Sequence, residues 1–461
     1  CAGARRRRLP RTDAAPKDHA PGWSSPSDAA MSTGRPFPQE VPLGTRSMTG
    51  PHAAGEVFDK LRRHQSPKLA LTGKIAGQGA VESSALGARV TLSDGRDVLD
   101  FGSYAVALLG HRHPRVVEAV GRQLDVMPMS TRSLANPVVA QAAARLADYL
   151  GGALPKIYFG LNGADAVEVA VKLARLATGR ERVLAVTGGY HGKTLGALSL
   201  THSPLFRAGL RGCVVDVVHL DPNDPHAVRE QMSAGPVAAV VFEPVQGENG
   251  AVPLPTDVLR QWCEDAHAHG AFAIADEIQC GLRRCGERSV ALADGLPVDA
   301  VLVGKPLGGG VMPLSAVACT QELYQPLEKD PFLHSATFGG HPLSCAALPA
   351  ALDAVEELAE RGRKLSDRLV DGLRELGERH PRVMSGYHGR GLLWGIDFTT
   401  PAAAGEVVVS LANNGLLVSP CLGRPTTVRL LPPLVTTDAE LDAGMDILDT
   451  ALTAAGAAIH D

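Results

Sequence analysis

Between residues 156 and 305, short apolar runs alternate with longer stretches in which apolar side chains recur every three or four positions. The runs IYFG (157–160), ERVLAVTG (181–188), AAVVFEP (238–244), FAIADE (272–277) and AVLVGK (300–305) are too short for helices. Their β-branched content predicts strands buried on both faces. LNGADAVEVAVKLARLATG (161–179) and VLRQWCEDAHAHG (258–270) carry the helical period between them. In the first, Glu168 stands four residues before Lys172, and Thr178-Gly179 makes a stop signal. Strands alternating with helices predict an α/β domain with a mostly parallel sheet covered on both faces.

The flanks read differently. ARVTLSDGRDVLDF (88–101) predicts two short strands around a turn at residues 93–96. HPRVVEAVGRQLDVM (113–127) and NPVVAQAAARLADYL (136–150) predict amphipathic helices. Beyond residue 340, one long charged helix is expected over 350–379, then strands at GLLWGIDF (391–398) and GLLVSP (415–420). The closing segment 437–456 predicts a helix with Thr437 and Glu440 as a capping box. Four regions follow: a tail at 1–56, an N-terminal segment at 57–110, a large domain at 111–340 and a small α+β domain at 341–461. Residues 1–30 carry Arg, Pro and Ser without an apolar face or the apolar core of an export signal. They are expected to be a disordered tail, or to precede a true start at Met31.

Composition narrows the class. With 45% hydrophobic and 20% charged residues and a net charge of −4, nothing points to a nucleic-acid or membrane surface. No apolar stretch reaches the roughly 18–20 residues of a membrane span. The eight cysteines are scattered, with no metal-binding pairs, and suggest reduced thiols in a cytoplasmic protein.

Three of the apolar runs end in ionisable residues: Glu243, Asp276-Glu277 and Lys305. In doubly wound sheets the carboxyl ends of the strands open onto the ligand crevice, so all three are expected there. A lysine sheltered by apolar strands can shed its proton and condense with an aldehyde. Pyridoxal phosphate requires that lysine, an acid for its ring nitrogen and a seat for its phosphate. Gly163, after a strand and at a helix N-terminus, is a candidate seat. TGGYHGKT (187–194) comes within one residue of a nucleotide-binding P-loop, but Thr187 stands where that motif needs Gly.

Seven ordered blocks complete the pattern: GHRHP, YFGLNGADAVEVAVKLAR, GGYHGKTLGALS, FEPVQGENG, ADEIQCGLRRCG with VGKPLGGGVMPLSA, TFGGHPLSCAA and VRLLPPL. From about Gly87 onward the chain resembles the class III pyridoxal-phosphate-dependent aminotransferases of fold type I, the group of ornithine, acetylornithine and 4-aminobutyrate aminotransferases. The resemblance implies an aminotransferase that exchanges an amino group between an ω-amino compound and a keto acid, 2-oxoglutarate or glutamate, in two half-reactions. It makes Lys305 the Schiff-base lysine, Asp276 the partner of the ring nitrogen and Gln279 a neighbour of the ring hydroxyl. Gly163 and Ala164 would hold the phosphate, Tyr190 would stack on the ring, and His191 would lie beside it. Thr337 would reach the phosphate of a neighbouring subunit's cofactor, which implies a homodimer. Arg429 would clamp a substrate carboxylate and Glu243 would neutralise it when the substrate has none. Tyr104 and Arg132 are candidate amine-pocket residues.

Departures from the family pattern are visible. Leu161-Asn162 replaces the usual Asn-Ser before Gly163, so a phosphate-binding hydroxyl is missing and Asn162 is expected to cap the helix. His341 replaces an Asn, and Cys280 a Thr. An aminomutase, racemase or decarboxylase could use the same lysine, and a silent homologue would need none of these groups. No metal site is expected.

Overall fold

A computed structural model describes residues 51–458 of the protein, apart from residues 211–214 and 422. Its centre is a seven-stranded sheet: β1 (Lys156–Gly160), β2 (Arg182–Val186), β3 (Val217–Leu220), β4 (Val237–Phe242), β5 (Phe272–Asp276), β6 (Ala300–Val303) and β7 (Ser315–Cys319). Their spatial order is β1-β7-β6-β5-β4-β2-β3. β2 to β6 run parallel, while β7 lies antiparallel to both β6 and β1. Every side chain of β4, β6 and β7 is buried. Each large apolar side chain so enclosed contributes about 1.5–3 kcal/mol of burial free energy, which fixes the strand ends beneath the crevice.

The helix Gly163–Thr178 covers one face, burying Ala166, Val167, Ala170, Leu173 and Ala174. Asn162 caps it as expected, accepting from Asp165 N–H at 3.1 Å, and Gly179 closes it in a left-handed conformation. On the opposite face, Thr256–Ala268 buries Trp262 and Cys263. The chain ends share a second sheet: Leu416–Leu417 pairs parallel with Asp97–Asp100, which pairs antiparallel with Arg89–Leu92. A third, antiparallel sheet is built from Met384–Arg390, Leu393–Phe398, Thr427–Leu430 and Ser419–Pro420. The predicted capping box is present, with Thr437 N–H on Glu440 Oε2 at 2.9 Å and Glu440 N–H on Thr437 Oγ1 at 3.2 Å.

Several expectations change. The long helix over 350–379 is two helices, Pro342–Glu357 and Ala359–Arg379, meeting at Leu358. The first packs on helices of the large domain, the second on the C-terminal sheet and helix, so one continuous period serves two partners. GLLVSP is likewise split, since Val418 hands the chain from the second sheet to the third. The strands β3, β7, Glu82–Leu86 and Met384–Arg390 were not anticipated. Helix begins at Pro51, inside the segment expected to be tail; the rest of that expectation, including Met31, lies outside the described residues. No described helix is long and apolar enough to cross a membrane.

Candidate active site

The carboxyl ends of β4, β5 and β6 converge on a cavity of about 240 Å³, with Glu243, Asp276 and Lys305 in its walls. Gly163, Ala164, Tyr190, His191, Ile278 and Gln279 complete most of the lining. Five dispersed segments thus meet because three parallel strands stop at one level. All three strand ends deliver a charge to the cavity as expected, through Glu243, Asp276 and Lys305, and only Glu277 departs from the expectation. Its carboxylate turns away from the cavity and accepts from Ser289 Oγ at 2.7 Å, Val290 N–H at 2.8 Å and Ala291 N–H at 2.7 Å. Adjacent residues on a strand point to opposite faces, so Asp276 and Glu277 could not share one crevice.

Lys305 opens the turn Lys305–Gly308 with φ 35°, a left-handed conformation that costs a non-glycine residue about 1–3 kcal/mol. Desolvation lowers its ammonium below the usual range, against the pull of Glu248. A nucleophilic amine needs that shift.

Asp276 is fixed on both oxygens. Oδ1 accepts Ile278 N–H at 3.1 Å, and Oδ2 meets His191 Nδ1 at 2.7 Å. Burial opposes charging of His191, but the bond to Asp276 and that group's negative charge prevail and raise its pKa. His191 Nε2 is buried without a partner. The backbone of this turn is anchored by His191 N–H on Thr201 Oγ1 at 2.9 Å.

Gly163 and Ala164 occupy the first helical positions, whose N–H groups have no carbonyl one turn back. A Cβ on Gly163 would meet Ile278 Cγ2 at 2.9 Å, so only glycine lets the helix start this close to β5's exit.

Arg429, on Thr427–Leu430, is buried and donates to Glu248 Oε1 at 2.7 Å and Gln279 Oε1 at 3.2 Å. This corrects the expected pairing with Glu243. Glu243 instead accepts Tyr190 N–H at 2.8 Å and Gly247 N–H at 3.2 Å. Burial pushes its carboxyl up to about 7. Glu248 was missed because FEPVQGENG offers two acids five residues apart, and only the loop's path shows which one meets Arg429.

Thr337, Tyr104 and Arg132 lie exposed, outside this cavity. His341 Nδ1 accepts Leu343 N–H at 3.3 Å and caps Pro342–Glu357. Cys280 is buried, and desolvation keeps its thiol neutral.

A sheet of this order, with a desolvated lysine and a clamped aspartate at its carboxyl edge, defines a fold type I pyridoxal-phosphate enzyme. Residues 75–452 match the family Aminotransferase class-III, and the chain belongs to it. It is a transaminase, and pyridoxal phosphate is the cofactor of the family. A putrescine aminotransferase of Pectobacterium atrosepticum is 34% identical over 374 residues, 78% of this chain and 79% of that protein. The ornithine aminotransferase of Toxoplasma gondii superposes with a TM-score of 0.80 at 30% identity, covering 87% of this chain and 95% of that one. A PLP-bound amine transaminase from an uncultivated Pseudomonas species gives 0.75 at 29% identity, over 81% and 95%. The amines and keto acids of this family are small molecules.

Proposed function

We propose that the protein moves an amino group from a terminal primary amine, on a diamine or ω-amino acid, to a keto acid, with glutamate and 2-oxoglutarate as the dicarboxylate pair. The observation that carries this reading is Lys305 desolvated in one cavity with the His191-clamped Asp276. The similarity to putrescine and ornithine aminotransferases supports the terminal amine.

The residues fit pyridoxal phosphate. Gln279 Nε2 is a buried donor without a partner, suited to the ring hydroxyl. Gly163 and Ala164 offer the helix-start N–H groups to the phosphate, Tyr190 would cover the ring, with His191 beside it, and Lys305 would hold the cofactor through Nζ. Bound there, the cofactor supplies an electron-withdrawing ring that stabilises negative charge at the substrate carbon. Asp276 would face the ring nitrogen and hold its proton, and the bond from His191 keeps Asp276 oriented. Lys305 Nζ, once free, takes and returns the substrate's proton as general base and acid. Arg429 releases Glu248 to bind a substrate carboxylate through a flat bidentate contact, and takes Glu248 back when the substrate brings an amine without one.

Two copies are inferred to pair through the surface bearing Leu134 (74% exposed), Phe332 (85%) and Phe338 (50%). That surface also carries Thr337, and the Arg132 guanidinium bonds the Ala336 carbonyl beside it. The test is the visible absorbance of protein with added pyridoxal phosphate, before and after excess glutamate. A band that glutamate bleaches is expected. A band that glutamate leaves intact would favour mutase or racemase chemistry, and no band would end the reading.

A further inference from the structure

Glu243 lacks the partner that the sequence assigned to it, and its surroundings give it another task. Its carboxylate spans two separate turns. Oε2 holds the backbone of Tyr190, which walls the cofactor cavity, and Oε1 holds Gly247, the residue before Glu248. Glu248 in turn holds Arg429. Gln279 presses on the same turn: a Cβ on Gly247 would fall 1.3 Å from Gln279 Oε1, the atom that also accepts from Arg429. Glu243 is 5% exposed, and no cation pairs with it among the described residues. His191, Asp276 and Lys305 act on it electrostatically.

Buried without an ion-pair partner, the carboxylate is held by those two N–H groups and by the nearby charge of His191. Any shift of the turn that carries Glu248 displaces Gly247 N–H, and Glu243 must then either follow or lose half of its hydrogen-bond support. Following would draw on Tyr190 through the other oxygen. We propose that Glu243 is a positioning residue that joins the Tyr190 wall of the cofactor seat to the Gly247–Glu248 turn, so that release of Arg429 and packing against the cofactor change together. This rests on the transaminase reading above.

The test is a double-mutant cycle on the cofactor-loaded enzyme. The dissociation constant of pyridoxal phosphate and the KM for 2-oxoglutarate are measured for wild type, Glu243→Gln, Glu248→Gln and the double variant. An amide of the same shape offers one acceptor oxygen instead of two. Glu243→Gln is expected to weaken cofactor binding and raise the KM, each by about five- to tenfold. The KM effect should vanish when Glu248→Gln is already present, because it acts through that residue. Weakened cofactor binding with an unchanged KM would overturn the proposal, as would KM factors that simply multiply in the double variant. If circular dichroism shows Glu243→Gln unfolded, Glu243→Asp enters the same cycle: it keeps the charge but is a methylene too short to span both turns. Failure of the transaminase reading looks different, since wild type itself would then show no cofactor band that glutamate bleaches.

Discussion

The inner wall of the cavity and its outer surroundings are built on opposite physical terms. At the ends of β4, β5 and β6 the functional groups are buried and tied, as in the bonds of Asp276 to His191 and Ile278 and the grip of Arg429 on Glu248. Around Tyr104 the chain is strained and turns that one ring outward. Ser103, Tyr104 and Ala105 have φ of 42°, 50° and 66°, three consecutive left-handed non-glycine residues. Asp100 holds that turn by accepting Gly102 N–H at 2.9 Å, the Ser103 hydroxyl, and His111 Nε2 at 2.8 Å. The strain leaves Tyr104 62% exposed while Ala105 is fully buried. The enclosed wall suits chemistry common to every substrate. The strained, outward-facing turn is proposed to serve the choice between amine substrates.

The comparison breaks most sharply at Lys305. Lys305→Ala should lower turnover by about 10⁴-fold or more while the melting temperature barely changes, measured by steady-state rates and calorimetry. A rate within tenfold of wild type would remove the inner wall from the chemistry. Arg429→Ala comes next. It should cost about 2–3 kcal/mol in kcat/KM for 2-oxoglutarate, the scale of a lost charge-assisted bond, and much less for an amine without a carboxylate.

Tyr104→Ala sharpens the contrast from the other side. The KM for the amine should rise about tenfold, the scale of one aromatic contact, with the glutamate half-reaction unchanged in single-turnover measurements. Equal losses in both half-reactions would make the turn part of the common machinery.

The gentlest change per unit of the variable is a pH slope in stability. Burial raises the carboxyls of Glu243 and Glu277 to about 7, above an unfolded value near 4.5. Between those values the folded state binds more protons than the unfolded one, so stability falls as pH rises from about 4.5 towards 7. Each carboxyl contributes up to about 1.4 kcal/mol per pH unit in that window. Glu243→Gln should flatten the slope of melting temperature against pH in the cofactor-free protein by that share.

Much of the inner wall was legible before any coordinates. Apolar runs ending in Asp276 and Lys305 declared both the strands and the side of the sheet on which they end. Adjacency in the sequence hides which side chain goes where. Asp276 and Glu277 are neighbours in the sequence, and only the alternation of a real strand sends one to the cavity and the other to a helix start. Glu243 and Glu248 were likewise interchangeable as letters in one loop.

The sequence by itself determined the α/β class, five of the seven central strands and the lysine and aspartate at their ends, because these follow from local periodicity and from chain order. Tertiary structure alone decided which acid meets Arg429, where the long C-terminal helix breaks, and that GLLVSP serves two sheets. Each of those depends on which distant segment supplies the partner. A pattern of apolar and polar letters records that a side chain is buried or charged, but not what lies across from it.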